Sequence, residues 1–300
     1  MSVLLETNLP HSLLHRGKVR DNYELGDNLL IVATDRISAF DVVLPCGIPD
    51  KGAVLNQISA FWFEKTAHLM PNHLIEVIKD IGQLETYRPA GYSYPSFLAG
   101  RSMIVRRAKR IPVECVVRGY LSGSAWAEYT QKGTIHGLPS PPGLKECQQI
   151  SPPIFTPTTK EESGHDQPLS TGDLAQLVGE ALAEELKDKS LAIYRFSEEY
   201  ARTRGIIIAD TKLEFGVIDN QVILIDELLT PDSSRFWDAD SYKLDQPQPS
   251  FDKQMVRDWL LASGWNKEPP APMLPADLIQ KTSERYREAY RRLTGKTLHK

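Results

Sequence analysis

Apolar and polar positions follow two periods along the 300-residue chain, and the change from one to the other separates a strand-rich first part from a helix-rich remainder. In the first third the period is two. Val19 to Leu25 and Leu29 to Thr34 read as strands flanking a Gly26-Asp27 turn, and Met103 to Arg107 reads as a later strand. A helix over Gln57 to Leu69 interrupts them. The middle continues with a strand at Glu114 to Tyr120, a helix near Ser124 to Gln131 and a Pro- and Gly-rich loop from Thr134 to Pro168, a length typical of functional or disordered loops. Helical spacing resumes at Ser170, which forms a capping-box pair with Asp173, and runs to about Arg204 with a break expected near Asp188. A helix near Phe251 to Ala262, a Pro-rich link from Pro269 to Pro275 and a last amphipathic helix ending at Gly295 complete the chain. Strands first and helices later predict an α+β fold rather than a doubly wound sheet.

One stretch breaks the pattern in an informative way. Between Ile206 and Arg235, acids interrupt two strands whose other residues are nearly all apolar. Alternation puts Asp210, Lys212 and Glu214 on one face and Thr211, Leu213 and Phe215 on the other. Asp219-Asn220 is a turn signal, and Val222 to Ile225 returns to Asp226, so the stretch predicts a hairpin. A loop with an odd number of residues centred on Asn220 would set Glu214 and Asp226 directly opposite each other, with β-carbons about 5 Å apart. A two-residue turn would split them. Like charges that close need a cation between them, and hard oxygen ligands suit Mg²⁺ carrying nucleotide phosphates. The plainer alternative is a hairpin with a solvated polar face.

Composition narrows the function classes. A net charge of −4 with no dominant basic tract argues against a large nucleic-acid surface. Cys46, Cys115 and Cys147 are odd in number and widely spaced, which fits neither a disulfide framework nor a zinc site and favours a reducing cytoplasm. No apolar stretch approaches membrane-spanning length, so no membrane association is expected.

Three further segments carry candidate chemistry. In His15 to Glu24, Gly17 allows close backbone approach to an anion while Lys18 and Arg20 point to one side; a solvated hairpin edge is the alternative. Neither a Walker A loop nor a GxGxxG fingerprint is present, so nucleotide binding would need another fold. The strand from Pro112 carries Glu114 and Arg118 on one face and runs into Ser122-Gly123-Ser124 at a helix start, a place suited to anions; Arg118 serves equally well as a structural ion-pair partner. Thr156 to Asp166 combines Lys160, Gly164 and Asp166 in a loop able to close over a site or to remain solvated.

The stretches GKVRDNYE, ATDRISAFDV, IPDKGAVLNQIS, PVECVVRGYLSGSAW, TPTTKEESGHD, IIIADTKLEFG and LIDELLTPDSSRFW, spread over residues 17–237, together resemble the SAICAR synthetase (phosphoribosylaminoimidazole-succinocarboxamide synthase) family. The length is similar to its longer, yeast-like form, which implies a monomer. The resemblance implies a two-lobed α+β fold related to ATP-grasp and kinase-like folds, with ATP between the lobes. It divides the chain into a β-rich nucleotide-binding lobe over 1–112, a catalytic and substrate-binding lobe over 113–268 and a helical extension over 269–300. The implied reaction joins L-aspartate to the carboxylate of carboxyaminoimidazole ribotide at the expense of ATP, with Mg²⁺ as cofactor. By position in the matched motifs, Gly17, Lys18, Arg20 and Lys160 are expected at the nucleotide, and Glu214 and Asp226 at nucleotide and metal. Arg118, Ser124, Lys212, Arg235 and Asp166 are expected at the substrate, and Asp210 and Lys212 at the chemistry itself, with Asp210 as the candidate base. The 227–235 loop is one residue longer than in compact relatives, and Ser38 and Asp41 lie in a matched motif without an assigned role. A small-molecule kinase of related fold would need the same acids and glycine loop but no amino-acid pocket, whereas a non-catalytic nucleotide module would not need Asp210 or Lys212.

Overall fold

In the computed structural model, which describes residues 3–160 and 167–299, two large antiparallel sheets, two small two-stranded pairs and the helices packed on them make up the fold. The elements of the first half are β1 (Leu13–Arg16), β2 (Arg20–Leu25), β3 (Asn28–Ala33), β4 (Arg36–Ala39), β5 (Val42–Gly47), α1 (Lys51–Lys65), β6 (Leu74–Val77), β7 (Ser102–Arg106) and β8 (Lys109–Tyr120). The second half adds α2 (Gly123–Lys132), β9 (Thr134–Ile135), β10 (Leu138–Pro139), β11 (Gln149–Phe155), β12 (Thr158–Thr159), α3 (Thr171–Val178) and α4 (Glu180–Arg202). It ends with β13 (Ile206–Ile218), β14 (Gln221–Ile225), β15 (Ser234–Asp238), α5 (Gln254–Ala262) and α6 (Ala276–Thr294). The first sheet has the order β1-β2-β3-β7-β6; the second is β11-β8-β13-β14, with β12 added to β8 and β15 to β13.

Both faces of the first sheet are covered. Ile31, Met103 and Val105 pack on Val54, Leu55 and Ile58 of α1, while Tyr23, Leu30 and Ile104 meet Ile78, Leu84 and Leu98 from the segment joining β6 to β7. The α1 side continues into the second sheet, where Val113, Cys115, Val117, Leu213 and Phe215 lie against Leu186 and Ile193 of α4. One buried cluster thus runs through both sheets, and α6 joins it with Tyr286 and Leu293. Cys46, Cys115 and Cys147 are buried and unpaired, and among the described residues no helix is long and apolar enough to cross a membrane.

Four expectations need correction. Helix α1 starts at Lys51, six residues before the expected Gln57, because its first turn rests on the end of β3 rather than on an apolar stripe. Any side chain at Gly52 would overlap the Ala33 carbonyl, so backbone contact replaces periodicity there. The helical run after Ser170 breaks at Gly179, at φ 89°, and passes through Asp188 uninterrupted; glycine tolerates that dihedral where other residues do not. The Ser170–Asp173 capping box is present. The Thr134–Pro168 segment contains β9 to β12 in its described part, short strands that edge pairing stabilises without an internal pattern. Finally, the β13–β14 hairpin turns on two residues, Asp219 and Asn220, both at positive φ as a type I′ turn requires, so Glu214 lies opposite Ile225 and not opposite Asp226.

A buried charge hub ties the C-terminal helix to both sheets. Lys51 has no solvent exposure; its Nζ donates to Asp232 Oδ2 at 2.7 Å, and Tyr286 Oη donates to Asp232 Oδ1 at 2.7 Å. Lys253 lies 4.0 Å from the same carboxylate, and burial notwithstanding, Lys253 and Lys51 hold the Asp232 carboxyl well below its usual range. Removing one member of such a pair leaves a buried charge uncompensated. Asp232→Asn should therefore lower stability by about 3 kcal/mol or more, against about 1 kcal/mol for Tyr286→Phe, which loses one hydrogen bond. Denaturant unfolding of the two variants checks the ranking, and equal losses would refute it.

Candidate active site

The charged residues of β13 face away from the core because the strand slips by one residue. Ile206 and Ile208 belong to the main core, and continued alternation would have sent Asp210, Lys212 and Glu214 after them. Against β15 the register shifts between Ile208 and Asp210, and the bulge at Ala209 reverses the faces. Thr211, Leu213 and Phe215 then turn inward, and the charged set shares its face with Glu114, Val116 and Arg118 of β8. Cross-strand partners are Asp210 with Arg118, Lys212 with Val116 and Glu214 with Glu114.

Two clusters result, about 13 Å apart along the strand at 3.3 Å per residue. In the first, Asp210 Oδ2 accepts from Arg118 Nη1 at 3.3 Å and from Arg235 Nη1. Arg118 also donates to Thr156 Oγ1 at 3.1 Å and to Ser124 Oγ at 3.3 Å. Gly123, at φ 58°, makes room for this arrangement, since a β-carbon there would overlap the Arg235 guanidinium. Asp210, Arg118, Ser124 and Arg235 are thus brought together as the matched motifs imply.

The second cluster is acidic and partly shielded, with Glu114 buried and Glu214 and Asp226 half-buried. Glu114 and Glu214 face each other across β8 and β13, and Lys160 bridges them, donating to Glu114 and lying 3.0 Å from Glu214 Oε1. Lys212 Nζ donates to the other Glu114 oxygen at 2.7 Å. Asp226 arrives from β14 by a route that strand alternation does not supply. It sits at φ 67°, which turns it out of the strand's pleat and into electrostatic range of Glu214, so that the register mismatch is undone locally. From the first sheet, Arg20 Nη2 donates to Asp226 Oδ2 at 2.6 Å and lies 3.8 Å from Glu227.

The electrostatics follow from who is compensated. Burial and the charge of Asp226 push the Glu214 carboxyl up to about 7 despite Lys160. Burial would raise Asp226 as well, but Arg20 outweighs it and holds Asp226 below its usual range. For Glu114, Lys212 and Lys160 together overcome burial and keep it ionised. Burial alone would lower Lys160, yet Glu214 and Glu114 raise it. Among the described residues no group of three or more His, Cys, Asp and Glu is arranged around a common point, so Glu214 and Asp226 can supply only part of a cation's shell. They are hard oxygen donors of the type that Mg²⁺ accepts while retaining water and phosphate ligands.

Two expected residues stand apart. Lys18 lies in the Gly17–Arg20 turn, closed by Gly17 N–H donating to Arg20 O at 2.8 Å, and its ammonium meets Asp41 rather than the acidic cluster. Asp166 lies outside the described residues. Sequence reasoning placed Glu114 and Gly123 beside Arg118 in a segment suited to anions without giving either a role, and it did not single out Glu227, although an acid next to an apolar run was a usable signal. The Arg235 contact is what explains the glycine at position 123.

The family model for SAICAR synthetase matches residues 13–272. A phosphoribosylaminoimidazole-succinocarboxamide synthase of Thermodesulfovibrio yellowstonii is 54% identical over 295 residues, covering 98% of this chain and 99% of that protein. A solved SAICAR synthase from Saccharomyces cerevisiae, complexed with SAICAR, aligns with a TM-score of 0.88 at 45% identity, over 98% of this chain and 99% of that one. A second structure, a SAICAR synthetase in complex with ADP, aligns with a TM-score of 0.66 at 25% identity, over 94% and 98%.

The contact at Gly123 is open to direct test. Gly123→Ala should lower stability by roughly 1–3 kcal/mol, because a positive φ and a displaced Arg235 act together. Ser124→Ala, one residue on, should stay within about 0.5 kcal/mol at its exposed position. Thermal unfolding of both variants decides it, and a Gly123→Ala protein as stable as Ser124→Ala would show that Arg235 does not depend on that space.

Proposed function

The chain belongs to the SAICAR synthetase family, and we propose how its charged sheet face carries out the reaction that membership entails. That reaction joins the amine of L-aspartate to the carboxylate of carboxyaminoimidazole ribotide, converting ATP to ADP and phosphate, in purine biosynthesis. The comparisons give no support to the small-molecule kinase alternative. The observation that carries the mechanism is that one sheet face, built from β8, β13 and β15, holds an arginine pair around Asp210 and, farther along, a cluster of partly buried acids.

We assign the Gly17–Arg20 turn, with Lys18, and the acidic cluster with Lys160 to the nucleotide. Glu214 and Asp226 would hold Mg²⁺, whose contribution when bound is to neutralise charge on the phosphates. Arg20, already set against Asp226, limits the repulsion that these acids exert on an incoming polyphosphate. Arg118 and Arg235 have the planar donors that grip a phosphate or carboxylate through two bonds, and Ser124 and Lys212 flank them. Asp166 belongs to the same substrate assignment by its motif.

A carboxylate resists amine attack because its oxygen is a poor leaving group. Its attack on the γ-phosphorus breaks the bond to ADP and forms an acyl phosphate; the amine then attacks the acyl carbon and phosphate leaves with the bridging oxygen. Lys160 and Lys212 stand on the face where charge on the transferring group would otherwise be uncompensated. The aspartate amine must lose a proton. Both arginines donate to Asp210 Oδ2, and we assign its second oxygen to that proton. Every residue in this scheme comes from one chain, so a monomer suffices, and three unpaired cysteines suit a cytoplasmic setting.

Glu214→Gln and Asp226→Asn should each reduce turnover by at least about a hundredfold, or roughly 2.7 kcal/mol of transition-state stabilisation, with the fold intact by circular dichroism. Near-normal turnover in both at limiting Mg²⁺ would reject the metal assignment. The acyl-phosphate route has its own test. Ribotide labelled with ¹⁸O in its carboxylate, made fresh and checked for enrichment, should deliver one labelled oxygen to each phosphate released and none to ADP. Unlabelled phosphate with product still forming would exclude the route.

A further inference from the structure

Arg36 is a buried cation that the reaction scheme does not use, and its surroundings are unusual in being mostly main chain. Its side chain is 9% exposed and, among the described residues, it pairs with the carboxylate of Asp21, fully buried, at 2.7 Å from Nη2. The other donors go to carbonyls. Nη2 donates to Gly17 O at 2.9 Å and to Arg20 O at 3.2 Å, Nε to Lys18 O at 3.2 Å, and Nη1 to Leu5 O at 2.5 Å. Three of the four residues of the Gly17–Arg20 turn therefore aim their carbonyls at one guanidinium. Asp21 is itself held in place, accepting from Thr7 Oγ1 at 2.6 Å and from Thr7 N–H at 3.2 Å.

The geometry of the peptide unit turns this into a functional statement. In a trans peptide the C=O of one residue and the N–H of the next point in opposite directions. With the Gly17 and Lys18 carbonyls on Arg36, the amides of Lys18 and Val19 must point away from it. Among the described residues neither amide donates to a backbone carbonyl. Successive amides presented on one side of a turn form a concave anion site, and the guanidinium behind them keeps the carbonyls, which would repel an anion, from turning outward. A flexible glycine turn would otherwise sample both orientations, and the ordering cost would fall on ligand binding.

We propose that Arg36 is a positioning residue that fixes the Gly17–Arg20 turn with its Lys18 and Val19 amides outward, ready for the nucleotide phosphates. The inference rests on assigning that turn to the nucleotide. Arg36→Lys keeps the charge beside Asp21 but cannot serve three turn carbonyls from a planar fork. It should raise the KM for ATP at least tenfold, leave the KM values for ribotide and aspartate within twofold, and accelerate amide exchange across residues 17–21 in the ligand-free enzyme. Unchanged exchange would overturn the positioning role. Faster exchange with an unchanged KM for ATP would overturn the assignment of the turn to phosphate, and the two failures are thereby distinguished. If the variant does not fold, the unaltered enzyme still decides the matter. With ¹⁵N-labelled arginine, the Arg36 guanidinium should show hindered rotation and slow hydrogen exchange, and a freely rotating group would refute the proposal.

Discussion

The cross-strand pairing of β8 with β13 is the constraint on which the site depends. It sets Glu114 directly opposite Glu214 on a partly shielded face, a placement that the sheet by itself disfavours. Lys160 makes it tolerable by standing between the two carboxylates, with Lys212 on the far side of Glu114. Four residues along β13 the same face offers Asp210, again between two cations, Arg118 and Arg235. Acid and base therefore alternate across the whole face.

The outer structure holds this face by burying further charge. Asp232 lies in the loop that begins beside Asp226 and ends at Arg235, so it sits between the two clusters in sequence. Its bonds to Lys51 of α1 and Tyr286 of α6 fix that loop to the helix packed under the first sheet. A buried lysine is costly and adds little net stability, but it has one admissible place, and that property suits a loop whose two ends carry Asp226 and Arg235 into different clusters. Arg36 of β4 follows the same logic beside the first sheet, where main-chain carbonyls of the β1–β2 turn replace the second carboxylate. In both places the C-terminal or N-terminal segment contributes directly, through Tyr286 and Leu5.

The hairpin carrying Glu214 and Asp226 shows where local pattern leaves alternatives open. An odd loop would set the two acids opposite each other and a two-residue turn would split them; the turn has two residues, and the register places Glu214 opposite Ile225. What reunites them is the positive φ of Asp226. An aspartate tolerates that conformation better than most residues, but nothing in the local sequence demands it; the pull comes from Arg20, 206 residues away along the chain, and from the packing of the first sheet against β14.

By itself the sequence determined the element types wherever one face was apolar: the alternation in β2, β8 and β13, the capping box at Ser170 and the amphipathic last helix all follow from local periodicity and short-range hydrogen bonding. It also determined the chemistry available, because acids inside apolar strands announce a face that must be compensated, and the matched motifs carried Arg118, Asp210, Lys212, Glu214, Asp226 and Arg235 to one region. Tertiary structure alone decided how those residues meet. The start of α1 at Lys51 depends on backbone contact with Ala33, the outward turn of Asp210 to Glu214 on a one-residue bulge at Ala209, and the need for glycine at position 123 on a guanidinium from β15. Each of these is a contact between segments distant in the chain, and periodicity, which compares a residue only with its near neighbours, has no term for such contacts.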